Sequence, residues 1–214
     1  MNRVGTLLLV ATFAIWGCAD SRTHARAVFV LMDVSGTYVN EIDKAQRFID
    51  YVLAVLNPGD ALAVARIDSA SFSEKDVVAS VTFSDRPSLA NAEKRAYRAT
   101  IDQFAKTVKQ SSHTDISGAM LQALAFLDEA GAGNRYLFVF SDLREDLKKD
   151  HVRKWDWNFR DTHVVAVNVT KLDSDNRDPR EYLSRVAAWQ EKVESSGGQW
   201  RVINELAHVE QVLR

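Results

Sequence analysis

The chain has 214 residues, 46% of them hydrophobic and 26% charged, with a formal net charge of −2. That length and apolar content supply one sizeable core and exclude a chain that is disordered over its bulk. The near-neutral charge excludes a general pull toward nucleic acid or an anionic membrane, and the most basic stretch, "REDLKKDHVRKW", is interleaved with acids.

The N-terminal stretch "MNRVGTLLLVATFAIWGC" holds one arginine, an apolar run and then Gly17-Cys18. The run is shorter than the roughly 20 residues a membrane span needs, and it matches the apolar region of an export signal. Cys18 is the sole cysteine, so no internal disulfide can form. "IWGC" resembles the lipidation box of bacterial lipoproteins, with Trp16 where a small residue is usual. The resemblance implies a signal peptide over 1–17, lipid on Cys18, and a protein of the periplasm or cell surface. Its membrane attachment would be that lipid or the uncleaved N-terminal segment. With Cys18 closing the signal and lipobox region 1–18, residues 19–26 read as a tether and 27–214 as the folded domain.

"AVFVLMD" is the continuous apolar run of a strand buried on both faces. Apolar residues at Ile42, Ala45, Ile49, Val52, Leu53 and Leu56 predict a helix from Tyr38 to Leu56, ended by "NPGD". "ALAVARI" and "VVASVTF" are the second and third strands. The polar segment between them is too short for a crossover helix, so they pair antiparallel. Leu89, Ala92, Ala96, Ile101, Phe104 and Val108 predict a helix from Ser88 to Val108. After the polar break "KQSSHTD", Ile116, Ala119, Met120, Ala123, Leu124 and Leu127 predict another, closed by "GAG". "RYLFVFSD" is a fourth strand ending in an aspartate, and "THVVAVNV" a fifth. A helix around Glu181 to Val193, the strand "QWRVI" and a short last helix, "NELAHVEQVL" with Asn204 as its cap, complete the chain.

This alternation predicts an α/β fold, Rossmann-like and doubly wound. Its six-stranded sheet is mostly parallel, with one antiparallel edge strand and helices on both faces. Ligands of such sheets sit beyond the carboxyl ends of the strands, where the strand order reverses. The first strand ends at Asp33 and the fourth at Asp142. If these strands are neighbours at the reversal, both aspartates point into one crevice.

Asp33 opens "DVSGT", so a carboxylate and the hydroxyls of Ser35 and Thr37 stand at alternate positions after a buried strand. Two chemistries use such a set: a phosphate-transferring nucleophile, or ligation of a hard metal ion. Mg²⁺ takes oxygen ligands, six of them near octahedral. Carboxylates and hydroxyls meet that demand, whereas thiolates and imidazoles select other metals. Three segments in order, "DVSGT", "HTDISGAMLQAL" with Thr114, and "LFVFSDLRED" with Asp142, resemble the von Willebrand factor type A domain and its metal-ion-dependent adhesion site. The resemblance covers roughly Ala27 to Leu213, with Thr37 where the family has a serine. It implies that Ser35 and Thr37 bind Mg²⁺, or Mn²⁺ or Ca²⁺ in its place, directly. Asp33 and Asp142 would do so directly or through water, and Thr114 would be the ligand that exchanges with water on a change of state. It also implies a partner protein whose Asp or Glu completes the coordination sphere. The expected function is protein binding at the cell envelope, without catalysis and without nucleic acid.

Each residue also has a plainer local role. Asp33 can bond to the following amides, Ser35 or Thr37 can cap the first helix, Thr114 or Asp115 can cap a later one, and Asp142 can be a loop residue. Those roles describe a metal-free scaffold with the same fold. The opening stretch resembles, too, the first motif of haloacid dehalogenase-like phosphatases. There Asp33 would be the nucleophile, Asp142 and Asp146 late metal-binding acids, and Lys109 the lysine. Ser35 occupies the general-acid position in that reading, and serine protonates a leaving group poorly at neutral pH. The five histidines lack metal-ligand spacing, and "DISGAM" lacks the glycine spacing of a nucleophile elbow. Trp155 and Trp157 alternate in "KWDWNF" and read as packing residues.

Overall fold

The computed structural model describes residues 24–69, 71, 73–147, 156–205 and 211–213, apart from the side chain of Thr37. The expected export signal, Cys18, Trp155 and half of the last expected helix (206–210) lie outside the described residues. The strands are β1 (Arg26–Asp33), β2 (Ala61–Ile67), β3 (Val77–Thr82), β4 (Asn134–Phe140), β5 (His163–Val167) and β6 (Gln199–Ile203). They form one six-stranded sheet in the order β3-β2-β1-β4-β5-β6. β3 runs antiparallel to β2 at one edge, and every other pairing is parallel. The expected architecture is therefore the observed one, and the strand order reverses at β1.

β1 is buried from Ala27 to Asp33 because both of its faces are covered. Side chains alternate between faces along a strand. Val28, Val30 and Met32 join a core with Phe48, Val52, Phe138 and Phe140. Ala27, Phe29 and Leu31 join the opposite core with Ile116, Met120 and Leu127. A strand with two dry faces must be apolar throughout, as "AVFVLM" is.

Helix α1 (Ile42–Val55) starts four residues later than the hydrophobic spacing predicts. A 3-10 turn, Gly36–Glu41, precedes it. Gly36 has a φ of +47°, a left-handed conformation that glycine adopts without steric cost, and it swings the chain sharply off β1. Helix α2 (Pro87–Thr107) begins on a proline, whose missing N–H is no loss in a first turn. Helix α3 (Ile116–Ala130) is capped by Asp115, whose Oδ1 accepts from the Gly118 N–H at 2.7 Å. The expected helix around Glu181 is α5 (Pro179–Glu194), preceded by a short α4 (Asp173–Arg177) that the spacing did not reveal. Asn204, expected as a cap, has its Oδ1 accepting from the Val169 N–H. Trp157 stacks on buried Phe159, in keeping with a packing role.

Two arginines tie remote segments together. Arg26, at the start of β1, donates to Asp60, to the Val55 carbonyl and to the Leu213 carbonyl. Arg185 of α5 donates through both terminal nitrogens to the two oxygens of Asp175, at 3.1 and 2.7 Å. That fork-on-fork pair is the strong form of an ion pair, and Asp175 is 1% exposed.

Alanine is ordinarily a better helix residue than glycine. At Gly118 the order reverses, because a Cβ would lie 2.5 Å from Asp115 Oδ2 and 2.7 Å from the Ser71 carbonyl. Gly118→Ala is expected to destabilise the fold by about 1–3 kcal/mol, read from the shift in denaturant midpoint. The Arg185 hydrogen bonds hold the Asp175 carboxyl below its usual range. A depressed folded-state pKa stabilises above the unfolded value and loses that stabilisation as pH falls through it. Wild type should thus lose stability below about pH 4. Asp175→Asn should be weaker by about 3–5 kcal/mol at pH 7 and show a shallower acid dependence. Unfolding curves between pH 7 and pH 3 check both.

Candidate functional site

β1 and β4 lie side by side, with Met32 opposite Phe140. The next residues along each strand, Asp33 and Ser141, therefore meet at the carboxyl edge of the sheet. Ser141 Oγ donates to Asp33 Oδ2 at 2.7 Å. The other oxygen, Oδ1, accepts from the Ser35 N–H at 2.8 Å and from Ser35 Oγ at 2.5 Å. Asp33 is 2% exposed. Burial pushes its pKa up, the bonds from Ser35 and Ser141 oppose that, and the charge of Asp142 adds to it. Among the described residues no Lys or Arg pairs with it.

Asp142 lies one residue past Ser141 and is half-buried. Its Oδ1 accepts from the Arg144 N–H at 2.8 Å. Burial raises this carboxyl too, against the pull of the Arg144 amide and the Arg185 charge. The exit from β4 is held rigidly. Arg185 Nε donates to the Asp142 carbonyl, Trp189 Nε1 to the Leu143 carbonyl, and the Leu143 N–H to Ser141 Oγ. Leu143 itself sits at a φ of +65°. A branched residue in that region is strained, so the turn depends on these anchors.

Thr114 arrives from the segment between α2 and α3. At one end of that segment the Ser111 N–H donates to the Val34 carbonyl, and Ser111 bridges to Ser35. At the other, Thr114 and Asp146 exchange backbone hydrogen bonds at 3.0 and 2.9 Å. The segment therefore spans from the β1 exit to the β4 exit, across the crevice. Asp115 takes the cap of α3, which frees Thr114 from that role. Thr114 is 4% exposed, and its hydroxyl makes no hydrogen bond with a described residue. Thr37 lies in the 3-10 turn after Ser35. The next residue, Tyr38, anchors that turn by donating its hydroxyl toward the Asn168 carbonyl at the end of β5.

The structure thus brings Asp33, Ser35 and Asp142 together at the carboxyl edge of the sheet, where the Thr114 segment runs between the β1 and β4 exits. Ser35 caps nothing, since its hydroxyl is turned to Asp33. Ser141, Ser111, Arg185 and Trp189 support the site and were not anticipated. Only Ser141 carried a signal, as the residue between an apolar strand and its terminal aspartate. Among the described residues, no three His, Cys, Asp or Glu side chains group to hold a metal ion. The donors at the crevice are two carboxylates and hydroxyls, oxygen types that a hard cation takes. On the rim, His113 Nδ1 lies 3.2 Å from Asp146 Oδ2.

No family model matches this chain, and no curated protein sequence matches it. Solved structures do. A von Willebrand factor type A protein from Catenulispora acidiphila superposes with a TM-score of 0.50 at 11% identity, over 89% of this chain and 41% of that one. An aerotolerance-related membrane protein from Bacteroides fragilis, with multiple mutations to serines, superposes with a TM-score of 0.50 at 13% identity, over 88% and 96%. This chain therefore spans less than half of the first and nearly all of the second. At such identities the likeness is one of architecture, and the chain has the fold of a von Willebrand factor type A domain.

Proposed function

We propose that this protein is a binding module of the cell envelope that coordinates a partner's carboxylate through a divalent cation, Mg²⁺ or Mn²⁺ or Ca²⁺. Asp33, Ser35, Thr37, Thr114 and Asp142 would hold the ion. One observation carries this reading. Asp33 is a buried carboxylate with no cationic partner among the described residues, and it sits with Asp142 where the strand order reverses. Two carboxyls raised by burial, with Arg185 reaching only Asp142, make a place where positive charge is wanted.

The residues are chemically suited to that task. Ser35 Oγ gives its proton to Asp33 and keeps lone pairs for an ion. Asp33 orients that hydroxyl as well as supplying charge. The exchangeable position falls to Thr114, whose hydroxyl is uncommitted to any described residue. When bound, the ion supplies an electrophile. The hydroxyl ligands are neutral and both carboxylates share their charge with hydrogen-bond donors, so they balance the ion only in part and leave it attractive to an incoming Asp or Glu. An export signal ending at Cys18, as the sequence suggests, would hold the module at the membrane surface, and one structural neighbour is itself titled a membrane protein. No helix among the described residues is long and apolar enough to cross a membrane. Against the phosphatase reading, Ser35 donates to the would-be nucleophile, the Asp146 side chain is turned to His113, and Lys109 is exposed. Against the metal-free scaffold stands the cost of burying Asp33 for no purpose.

Titrating Mg²⁺ and Mn²⁺ into the full chain, followed by heat and thermal shift, should show saturable binding. At a hundredfold excess over Kd the fold should gain about 2.7 kcal/mol. Thr114→Ala should weaken binding by about tenfold or more. Undiminished affinity in Thr114→Ala, together with hydrolysis of a phosphate ester, would restore the phosphatase. Asp33→Asn separates charge from shape. A carboxyl raised above its unfolded value costs stability once pH exceeds that value. Metal-free Asp33→Asn should therefore melt no lower than wild type at pH 7 and lose the Mg²⁺-dependent rise. A rise of wild-type size in that variant would defeat the proposal.

A further inference from the structure

The segment that carries Thr114 has no helix or strand of its own between Thr107 and Ile116. A ligand on such a segment is useful only if something fixes the segment. One residue reaches both sides of Thr114. Asp68, just past the end of β2, accepts from Ser111 Oγ at 2.6 Å through Oδ1, and its carbonyl accepts from the Asp115 N–H at 3.1 Å. The same Oδ1 accepts from the Ser69 N–H at 2.6 Å, and Ser69 Oγ lies 3.1 Å from Ser111 Oγ. Ser111 has one hydroxyl proton and three acceptors within reach: Asp68, the His113 carbonyl at 2.8 Å and Ser69 Oγ. The carboxylate is the nearest and the charged one, so it takes the proton.

Asp68 is in turn fixed from behind. Arg66 lies 3.2 Å from its Oδ2 and donates through Nε to Asp76 at 3.1 Å. Asp76 is 5% exposed, so the anchor of this chain of charges is buried. Asp76, Arg66, Asp68 and Ser111 form a continuous path from the β2–β3 connection to the Thr114 segment. At its far end that segment is already paired to Asp146.

We propose that Asp68 is a positioning residue for Thr114: through Ser111 and Asp115 it clamps the segment across the crevice, so that the threonine hydroxyl is in place before a cation or partner arrives. This rests on the cation-binding function proposed above. Asp68 touches no ligand in it and acts only through Thr114. Partners that orient a ligand from outside its coordination sphere are commonly worth 10- to 100-fold in metal affinity.

The test is a double-mutant cycle on the full chain with Mn²⁺ and Mg²⁺ as probes. Asp68→Ala and Ser111→Ala should each weaken cation binding by about tenfold. Neither should weaken it further on a Thr114→Ala background, and Ser111→Thr, which keeps the hydroxyl, should restore it. A general structural effect would persist on that background, so an equal loss there, or no loss in either single variant, overturns the proposal. Amide hydrogen exchange of the metal-free protein supplies an independent arm. Asp68→Ala and Ser111→Ala should speed exchange at Ser111, Thr114 and Asp115 and leave α1 unchanged. If wild type binds neither ion, the cation function fails while this arm still decides the clamp: faster exchange upholds it and unchanged exchange removes it.

Discussion

The carboxyl edge of this sheet is organised by the carboxylate of Asp33. An apolar strand, dry on both faces, delivers a charge into a buried position. Three hydrogen bonds receive it: two from Ser35, which continues the same chain, and one from Ser141 on the neighbouring strand. A buried carboxylate that lost them would face the full penalty of desolvation. The exit of β1 and the exit of β4 are therefore bound to one another by the same group that a cation would use. Site and scaffold share an atom set, so a change that breaks these hydrogen bonds alters both.

Around that point each incoming segment is secured by a different interaction. The 3-10 turn is held by Tyr38 against the end of β5, and the turn after β4 by Arg185 and Trp189 of α5. The Thr114 segment is held through backbone pairing to Asp146 and through Asp68. Groups at the crevice are small, short and oxygen-bearing, with few rotamers to freeze. Tyr38, Arg185 and Trp189 behind them are long, whereas the Thr114 segment is secured by the short Asp68. Arg185 alone links α4, α5 and the carbonyl of Asp142.

The sheet was legible in the sequence because its signals are local. "AVFVLMD" had to be a doubly buried strand, and the short polar stretch after "ALAVARI" had to make β3 antiparallel. The convergence of Asp33 and Asp142 was legible only on the condition that β1 and β4 are neighbours, which the observed strand order meets. Features that depend on long-range geometry were not legible. α1 starts late because Gly36 takes a left-handed conformation, which hydrophobic spacing does not encode. α4 exists because Asp175 meets Arg185 and the Leu172 N–H, and an acidic pentapeptide shows nothing of that beforehand. Asp68 looked like the first residue of a polar loop, and its partner Ser111 is 43 positions away. The choice between Thr114 and Asp115 as cap needed coordinates, since either side chain can serve.

Arg26 sets a mechanical direction for the molecule. It binds the entry of β1 to the Val55 and Leu213 carbonyls, at the edge of the sheet opposite Asp33. At roughly 3.3 Å per residue, β1 carries the chain about 25 Å from that knot to the crevice. A load applied between the two acts along the axis of β1. The strand is laddered to β2 on one side and to β4 on the other, in parallel along its length. Pulling would thus strain both ladders in shear, many hydrogen bonds at once, where a peeling load would break them one at a time. A load carried between the Arg26 knot and the Asp33 end of β1 therefore meets the sheet along its most resistant direction.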